Sequence, residues 1–100
     1  MKNYEIMFIV RPTLSEEEIQ KVADSFKSTL EDLGSKVTSV DAWGQRTLAY
    51  DIKKGSEVFK SGYYYVYQVE AEDDKGIKEF DRLAGISSDI VRHLVIRKED

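Results

Sequence analysis

Residues 43–52 read WGQRTLAYDI, a segment that begins and ends like a β-strand but is interrupted by Gly44. An isolated glycine inside a strand pattern indicates a bulge or a kink. The segment runs into a stretch with three lysines and then into a tyrosine-rich strand at residues 62–70. Together these residues offer aromatic surface, guanidinium and ammonium groups on extended backbone, and none of them is a soft metal ligand or an activated nucleophile. The pattern predicts a recognition module, with RNA as the favoured partner.

Length and composition limit the class of protein. The 100 residues predict one domain, residues 1–100, with a single hydrophobic core. The absence of cysteine excludes disulfides, thiolate catalysis and cysteine-ligated zinc. No apolar run approaches the ~20 residues that span a membrane, and the first residues do not follow the order of a signal peptide. We therefore expect a soluble protein of the cytoplasm.

The net charge of −4 is concentrated in one segment. Residues 15–33 contain six acidic and two basic residues, so this segment carries the whole excess and the rest of the chain sums to zero. Residues 44–62 have four basic residues against two acidic ones, and residues 89–98 have three against one. The chain is thus predicted to have one acidic flank and separate positive patches, which permit an anionic partner.

A strand and a helix open the chain. In residues 2–11 alternate positions share a face, with Tyr4, Ile6, Phe8 and Val10 on one side and Asn3, Glu5, Met7 and Ile9 on the other. Pro12 ends the strand, and Ser15 with Glu18 forms the capping-box pattern of a helix start. Apolar residues then recur at helical spacing, namely Ile19, Val22, Ala23, Phe26, Leu30 and Leu33. Gly34 stands where a left-handed glycine closes a helix.

Two strands and a loop are predicted next. Residues 37–52 form a long, irregular strand with a bulge at Gly44, and residues 53–61 form a loop. A second strand covers residues 62–72. Its odd-numbered residues from 63 to 71 are assigned to the core, because polar residues occupy the even-numbered positions.

A short helix and a last strand complete the pattern. Asp73 or Asp74 can cap a helix that ends at Gly85, and residues 90–98 follow as a strand. The order β-α-β-β-α-β predicts an α+β protein with the ferredoxin-like fold, in which a four-stranded antiparallel sheet carries two helices on one face.

The face of the sheet without helices is predicted to be an open surface. In the last strand we expect Leu94 and Ile96 to be buried and the alternate residues to face outward. The open face is then lined by Asn3, Glu5, Met7, Ile9, Tyr64, Val66, Gln68, His93, Val95 and Arg97. Such a mixed apolar and polar surface suits a partner.

Catalysis is not expected from these residues. His93 is the single imidazole and lies among aliphatic residues of a strand, where a surface position is commoner than a role as general base. The carboxylates at Glu70, Glu72, Asp73 and Asp74 lack EF-hand spacing and fit the start of a helix. We predict no enzymatic activity, metal, cofactor or small-molecule substrate. A small enzyme or ligand-binding domain on the same fold stays as a minor alternative, since fold does not determine function.

The tyrosine strand supports a second hypothesis. Residues 60–67, KSGYYYVY, partly match the RNP1 signature of the RNA recognition motif, in which outward-facing aromatic side chains stack on bases. Ser61 is inserted after the basic residue, and Gln68 stands where an aromatic residue belongs. The alternative function is therefore a free-standing RNA-binding regulator of this type, and it requires Tyr63 and Tyr65 to face outward.

Short segments spread along the chain form a combined pattern. They are Tyr4-Glu5, Arg11-Pro12, Trp43-Gly44 with Arg46 and Leu48-Ala49-Tyr50, Ile52-Lys53-Lys54, Gly62-Tyr63-Tyr64, Phe80-Asp81-Arg82 and Val91-Arg92-His93-Leu94-Val95. In this order and spacing they resemble the S-six family of bacterial small-subunit ribosomal proteins, over essentially the whole chain. Two positions depart from the family pattern: Asp51 stands where proline is usual, and Phe80 stands where leucine is common.

The resemblance implies a structural constituent of the small ribosomal subunit, an RNA-binding protein of the cytoplasmic ribosome. It implies binding to the central domain of 16S rRNA together with small-subunit protein eighteen. The implied RNA contacts are Lys2, Asn3, Arg46, Lys53, Lys54, Arg92 and Arg97. The implied contacts with the partner protein are Leu48, Ala49, Tyr50 and Tyr64. A basic partner that shares the RNA site also accounts for a chain that is acidic overall.

Overall fold

Six elements follow one another in the predicted order within residues 1–98, the part of the chain that the computed structural model describes. The strands are β1 (Lys2–Val10), β2 (Lys36–Lys54), β3 (Glu57–Ala71) and β4 (Ile90–Lys98). The helices are α1 (Glu16–Asp32) and α2 (Lys75–Ile86). The last two residues of the predicted 1–100 domain lie outside the described residues.

The four strands form one sheet in the order β2-β3-β1-β4, and every pair of neighbours is antiparallel. Apolar residues of both helices and of all four strands belong to one hydrophobic core on one side of this sheet or pack against it. The prediction of a ferredoxin-like α+β fold is confirmed.

The ends of α1 follow from its sequence. The hydroxyl oxygen of Ser15 accepts a hydrogen bond from the backbone N–H of Glu18 at 3.2 Å, which satisfies one of the free donors at a helix start. Gly34 has φ +92, and the N–H of Ser35 donates to the carbonyl of Leu30 at 2.9 Å, as in a Schellman motif. Leu33, predicted to be buried, is instead 41% exposed, because it is the capping residue and has already left the helical geometry.

An aromatic cluster fills the space between the sheet and the helices. Phe8 is fully buried, lies edge-on to Phe26 at 5.3 Å between ring centroids, and stacks on Tyr65 at the same distance. Phe80 of α2 packs edge-on against Phe26 at 5.1 Å. The Tyr67 hydroxyl donates to a backbone carbonyl of α1 at 2.7 Å. The inward orientation predicted for the odd-numbered residues from 63 to 71 is confirmed.

The buried phenol of Tyr67 leads us to expect a loss of stability in alkaline solution. Burial raises the pKa of Tyr67, and the neighbouring Asp24 and Tyr65 act in the same direction. The unfolded chain releases this proton near the ordinary tyrosine pKa of about 10. The stability conferred by the neutral phenol is therefore intact below about pH 10 and falls as the pH rises above it, by up to about 1.4 kcal/mol per pH unit.

Urea denaturation from about pH 9 to about pH 12 measures this loss. Tyr67→Phe removes the titrating group, so we expect this variant to be less stable at neutral pH by about 1 kcal/mol but to lose less stability in alkali. A shallower slope persists because burial also raises the pKa of Tyr65. An unchanged alkaline slope in Tyr67→Phe would contradict the assignment.

The predicted loop at residues 53–61 is wrong. β2 continues to Lys54 and β3 begins at Glu57, so a two-residue turn with Gly55 at φ +62 joins them. Lys53 lies opposite Val58 in the ladder. This end of the hairpin extends beyond the helix-side core, so charged residues can occupy it and the alternation that marks a strand is weak.

The predicted orientation of β4 is also wrong. Leu94 and Ile96 are 47% and 44% exposed, whereas the alternate residues His93 and Val95 turn toward the helices. The pairing with β1 explains this, because His93 lies opposite the core residue Phe8. Both faces of β4 carry aliphatic residues, so hydrophobicity alone could not distinguish them.

The boundaries of α2 differ slightly from the prediction. The helix continues through Gly85 to Ile86, and it ends where the N–H of Ser87 donates to the carbonyl of Leu83 at 3.0 Å. At its start Asp74 occupies the N-cap position without a side-chain cap. The carboxylate of the preceding residue, Asp73, accepts a hydrogen bond from a backbone N–H of the first turn at 3.1 Å.

Candidate functional site

A large bulge in β2 shapes the open face of the sheet. Thr47 lies opposite Ser61, and Ile52 lies opposite Phe59. Four residues of β2 therefore stand against the single residue Lys60 of β3. Because these extra residues have no partners in the ladder, the strand must bend where they are inserted.

The bulge folds over the open face and does not simply extend from the sheet edge. Leu48 is buried in a cluster with Ile9, Phe59 and Val91, which come from the three other strands. This cluster is separate from the core on the helix side. The open face thus has a small hydrophobic centre of its own.

The side chain of Tyr50 connects the bulge in β2 to β4 on the far side of the sheet. Its hydroxyl oxygen accepts a hydrogen bond from Nη1 of Arg92 at 2.7 Å. β2 and β4 are the two edge strands, so this contact spans three strand spacings, or about 14 Å. Arg92 lies opposite Ile9 of β1, and its guanidinium is held on the open face.

The tip of the β2–β3 hairpin is fixed to the start of β4. The Lys54 ammonium donates to the backbone carbonyl of Ser87 at 2.7 Å and also to that of Ile90. Beside it, Arg11 and Glu57 form an ion pair at 2.6 Å. These contacts anchor the arm that carries the bulge, so the surface beneath the bulge is formed before any partner binds.

A groove runs along the open face between the bulge and the strands. A cavity of about 220 Å³ is lined by Met7, Ile9, Leu48, Ala49, Tyr50, Ile52, Tyr64, Arg92 and Leu94. A neighbouring cavity of about 130 Å³ is lined by Glu5, Met7, Trp43, Val66, Leu94 and Ile96. The two cavities share Met7 and Leu94, so we treat them as one open-face groove. Its lining is mostly apolar, with the cation of Arg92 in one cavity and the carboxylate of Glu5 in the other.

An aromatic pair borders the open-face groove. Trp43 stacks on Tyr64 with 5.8 Å between ring centroids and 5° between ring planes. The indole N–H of Trp43 donates to the carboxylate of Asp41 at 3.0 Å, yet the side chain is still 44% exposed. The register shift at Gly44, which has φ +78, confirms the predicted bulge beside this pair. Tryptophan and tyrosine are enriched at the centres of protein interfaces.

The structure brings together all four residues predicted to contact a partner protein. Leu48, Ala49, Tyr50 and Tyr64 line the larger cavity of the groove. Leu48 forms part of the buried floor, whereas Tyr50 is 64% exposed. Their role in binding stays a prediction.

The predicted RNA contacts fall into separate groups. The group at the end of the sheet where β1 finishes consists of Arg46, Lys53 and Arg92. The group at the end where β1 begins consists of Lys2, Asn3 and Arg97. The positions on β1 that mark the two groups, Asn3 and Ile9, are six residues apart, so the groups are separated by about 20 Å.

Arg97 and Arg92 also lie on opposite faces of the sheet. Arg97 is opposite Tyr4, whose ring is in the core, so its side chain is on the helix side. This corrects the predicted position of Arg97 on the open face. Arg92 and the open-face groove therefore form a single surface that Arg97 does not share.

Lys54 is separated from both groups by its contacts. Burial lowers the pKa of Lys54, and the charge of Arg11 acts in the same direction, while Asp89 opposes them. With its ammonium bound to two backbone carbonyls, Lys54 stabilises the hairpin. We therefore leave it out of the RNA contacts proposed below.

Eight groove residues were not among the predicted contacts: Glu5, Met7, Ile9, Trp43, Ile52, Val66, Leu94 and Ile96. Trp43 could have been predicted as a contact, because a tryptophan next to a glycine that interrupts a strand is less expected to be buried in the core. The apolar character of Leu94 and Ile96 predicts that they lie in the core. Only their pairing with Met7 and Glu5 of β1 reveals that they face outward.

The contacts of His93 are structural. Its Nε2 lies 2.8 Å from a carboxylate oxygen of Asp81, and its ring packs edge-on against Phe80 at 5.9 Å. These contacts join β4 to α2 on the helix side, away from the groove. Within residues 1–98, no group of three or more His, Cys, Asp and Glu side chains is placed to hold a metal ion.

The orientation of β3 contradicts the free-standing RNA recognition hypothesis. Tyr65 is buried in the helix-side core and Tyr63 packs against that core, so neither ring faces outward to stack on a base.

No helix in the described part of the chain is long and apolar enough to cross a membrane.

The sequence of this chain also matches a known protein family. The family model described as ribosomal protein S6 matches residues 3–97. The chain belongs to the ribosomal protein S6 family. The resemblance inferred from the short segments is thereby confirmed.

Individual S6 proteins match along nearly their whole length. The small ribosomal subunit protein bS6 of Desulforamulus reducens is 43% identical over 98 residues, which cover 98% of each chain. The crystal structure of 30S ribosomal protein S6 from Thermotoga maritima is similar with a TM-score of 0.87 and 30% identity, covering 97% of this chain and 87% of that one.

Membership of the S6 family makes the chain a protein of the small ribosomal subunit. It is part of a ribonucleoprotein that acts in translation in the bacterial cytoplasm, as expected. The S6 family is a family of structural ribosomal proteins and not one of enzymes.

Proposed function

We propose that this S6-family protein binds the central domain of 16S rRNA together with small-subunit protein eighteen. The observation that carries the proposal is the open-face groove, because one continuous apolar surface includes all four expected partner contacts and the Arg92 guanidinium. The groove would hold the partner protein, and the cations near its end would contact the RNA backbone.

The apolar groove supports a protein partner. Leu94, Ile96 and Trp43 expose between 44% and 47% of their surface, on a face that neither helix covers. Contiguous apolar surface of this kind is favourably buried against another protein, with the Trp43–Tyr64 pair at its border as an anchor.

The cations near the groove support an RNA partner. Arg46 and Arg92 can each contact a phosphate through two parallel hydrogen bonds, and Lys53 adds a third positive charge farther along the hairpin, opposite Val58. The acidic first turn of α1, formed by Glu16, Glu17 and Glu18, belongs to the layer on the other side of the sheet. Lys2, Asn3 and Arg97 form a second proposed contact about 20 Å away along the sheet.

The same arrangement leads us to expect shared binding. A protein with net charge −4 gains little from phosphate contacts alone, whereas a partner in the groove adds its own contacts to the same RNA. The isolated chain should therefore bind RNA weakly, and the pair of proteins should bind it tightly.

A salt titration of binding to a central-domain fragment of 16S rRNA, with and without protein eighteen, tests the proposal. We expect tight binding only with both proteins. Replacing Arg46 or Arg92 by alanine should weaken the binding of the complex about 10-fold or more and reduce the slope of log K against log salt by about one. Lys21→Ala is the matched control, because it removes an exposed cation from α1, outside both groups.

Two outcomes would contradict the proposal. Equally tight binding without protein eighteen would identify an independent RNA-binding protein. No binding in the presence of both proteins would exclude the central domain as the partner and reopen the small-ligand alternative.

A further inference from the structure

We infer that Tyr50 is a positioning residue that couples occupancy of the open-face groove to the RNA contact of Arg92. The inference rests on the proposed function and adds to it a physical link between the two partners. Tyr50 is the residue in which the two surfaces meet, since its ring lines the larger cavity and its hydroxyl binds the Arg92 guanidinium at 2.7 Å.

The hydrogen bond leaves Arg92 free to bind a phosphate. Tyr50 takes Nη1, so the edge formed by Nε and Nη2 keeps the fork of N–H donors that matches two phosphate oxygens. A long arginine side chain loses rotamer freedom when it binds. A tyrosine that holds the guanidinium in place beforehand lowers this entropic cost and improves RNA affinity.

A partner protein bound in the groove strengthens the hold of Tyr50 on Arg92. In the free chain Tyr50 is 64% exposed and sits on an unpaired bulge, so packing covers only part of its ring. A protein bound in the groove covers the ring and restricts it, and the hydroxyl then holds Arg92 more firmly. By thermodynamic reciprocity, RNA bound to Arg92 favours the partner to the same degree.

The hairpin arm does not depend on this hydrogen bond. Lys54 binds the backbone carbonyls of Ser87, at the end of α2, and of Ile90, at the start of β4, and Arg11 pairs with Glu57 at 2.6 Å, so the arm has anchors of its own. Leu48 is buried beneath the bulge. Tyr50→Phe therefore removes the hydroxyl from Arg92 while the ring, the bulge and the hairpin stay in place.

A double-mutant cycle with Tyr50→Phe and Arg92→Ala tests the inference. The affinity for the central-domain RNA fragment is measured at saturating protein eighteen, so that changes in partner affinity do not enter. We expect Tyr50→Phe to weaken RNA binding about threefold to tenfold and Arg92→Ala to weaken it about 10-fold to 100-fold. The double variant should bind like Arg92→Ala alone, because a positioning residue has no effect once the residue it positions is gone.

The control is Tyr63→Phe, which removes a tyrosine hydroxyl from the helix side of β3 and should leave RNA affinity unchanged. Without protein eighteen, the effect of Tyr50→Phe should shrink to less than about twofold.

Each contrary result has a distinct meaning. If Tyr50→Phe weakens binding equally in the Arg92→Ala background, its role is structural and the inference is overturned. No effect of Tyr50→Phe in the complex, or none of Arg92→Ala, overturns the inference and leaves the proposed function standing. If the wild-type pair does not bind the RNA at all, both the inference and the proposed function fail.

Discussion

Replacing Trp43 by alanine is expected to weaken binding of small-subunit protein eighteen by about 2–4 kcal/mol, or roughly 30-fold to 700-fold in Kd. Trp43 stacks on Tyr64 at the border of the open-face groove and is 44% exposed in the free chain. A partner that covers this pair buries the remaining indole surface, and truncation of such an anchor removes the contact area and leaves a void. Isothermal titration calorimetry with the two purified proteins measures the change.

The fold should tolerate the loss of Trp43. The side chain lies on an edge strand outside both hydrophobic clusters, and its removal breaks one ring stack and one hydrogen bond to Asp41. We expect the free energy of unfolding to fall by no more than about 1–2 kcal/mol. Val40→Ala is the matched control, because Val40 is a 48% exposed apolar residue of the same strand that lines neither cavity. Equal affinity of wild type and Trp43→Ala would place the partner elsewhere.

The elements of the fold were predictable because local signals agree with one another. Alternation in residues 2–10 and the Ser15 and Gly34 signals delimit β1 and α1. The tyrosines of β3 were assigned correctly because the polar side chains of this strand occupy the opposite face. In each case the sequence pattern and the packed structure satisfy the same physical requirement.

The errors arose where tertiary contacts override local patterns. Residues 53–61 continue the hairpin because Lys54 binds the segment that leads into β4 and Glu57 pairs with Arg11. In each of these contacts the two residues are more than 30 positions apart in the chain. The apolar character of Leu94 predicts a position in the core, although Leu94 pairs with Met7 on a face that is itself apolar. The open face is apolar but not covered by a helix, so the rule that hydrophobic residues face the core predicts the wrong orientation there.

The candidate site was predictable in its residues but not in its shape. Residues 48–50 are contiguous in the sequence, so a pattern that predicts one of them as a contact predicts all three. The groove, however, requires a four-residue bulge that crosses the sheet to Arg92, and no period in the sequence encodes that crossing. The division of the RNA contacts between two ends of the sheet depends on the direction and register of the paired strands, and the register is not encoded by sequence positions alone.

Replacing Phe8 by alanine is expected to lower the free energy of unfolding by about 3–5 kcal/mol. Phe8 of β1 is fully buried, and its ring meets Phe26, Tyr65 and Tyr67 at 5.3 Å between centroids. The close-packed cluster cannot collapse around the missing ring, so a cavity adds to the lost burial. Since a domain of this size has about 5–15 kcal/mol in total, we expect a melting temperature lower by about 15–30 °C.

The matched variant is Phe8→Leu, which keeps most of the volume but removes the aromatic contacts, and we expect it to lose only about 1–2 kcal/mol. Differential scanning calorimetry and urea denaturation measure both variants. A loss below about 1 kcal/mol in Phe8→Ala would show that the cluster does not stabilise the fold as described. Phe8 and Trp43 test opposite faces of one sheet: the first variant should reduce stability and bind the partner normally while folded, whereas the second should stay folded and lose the partner.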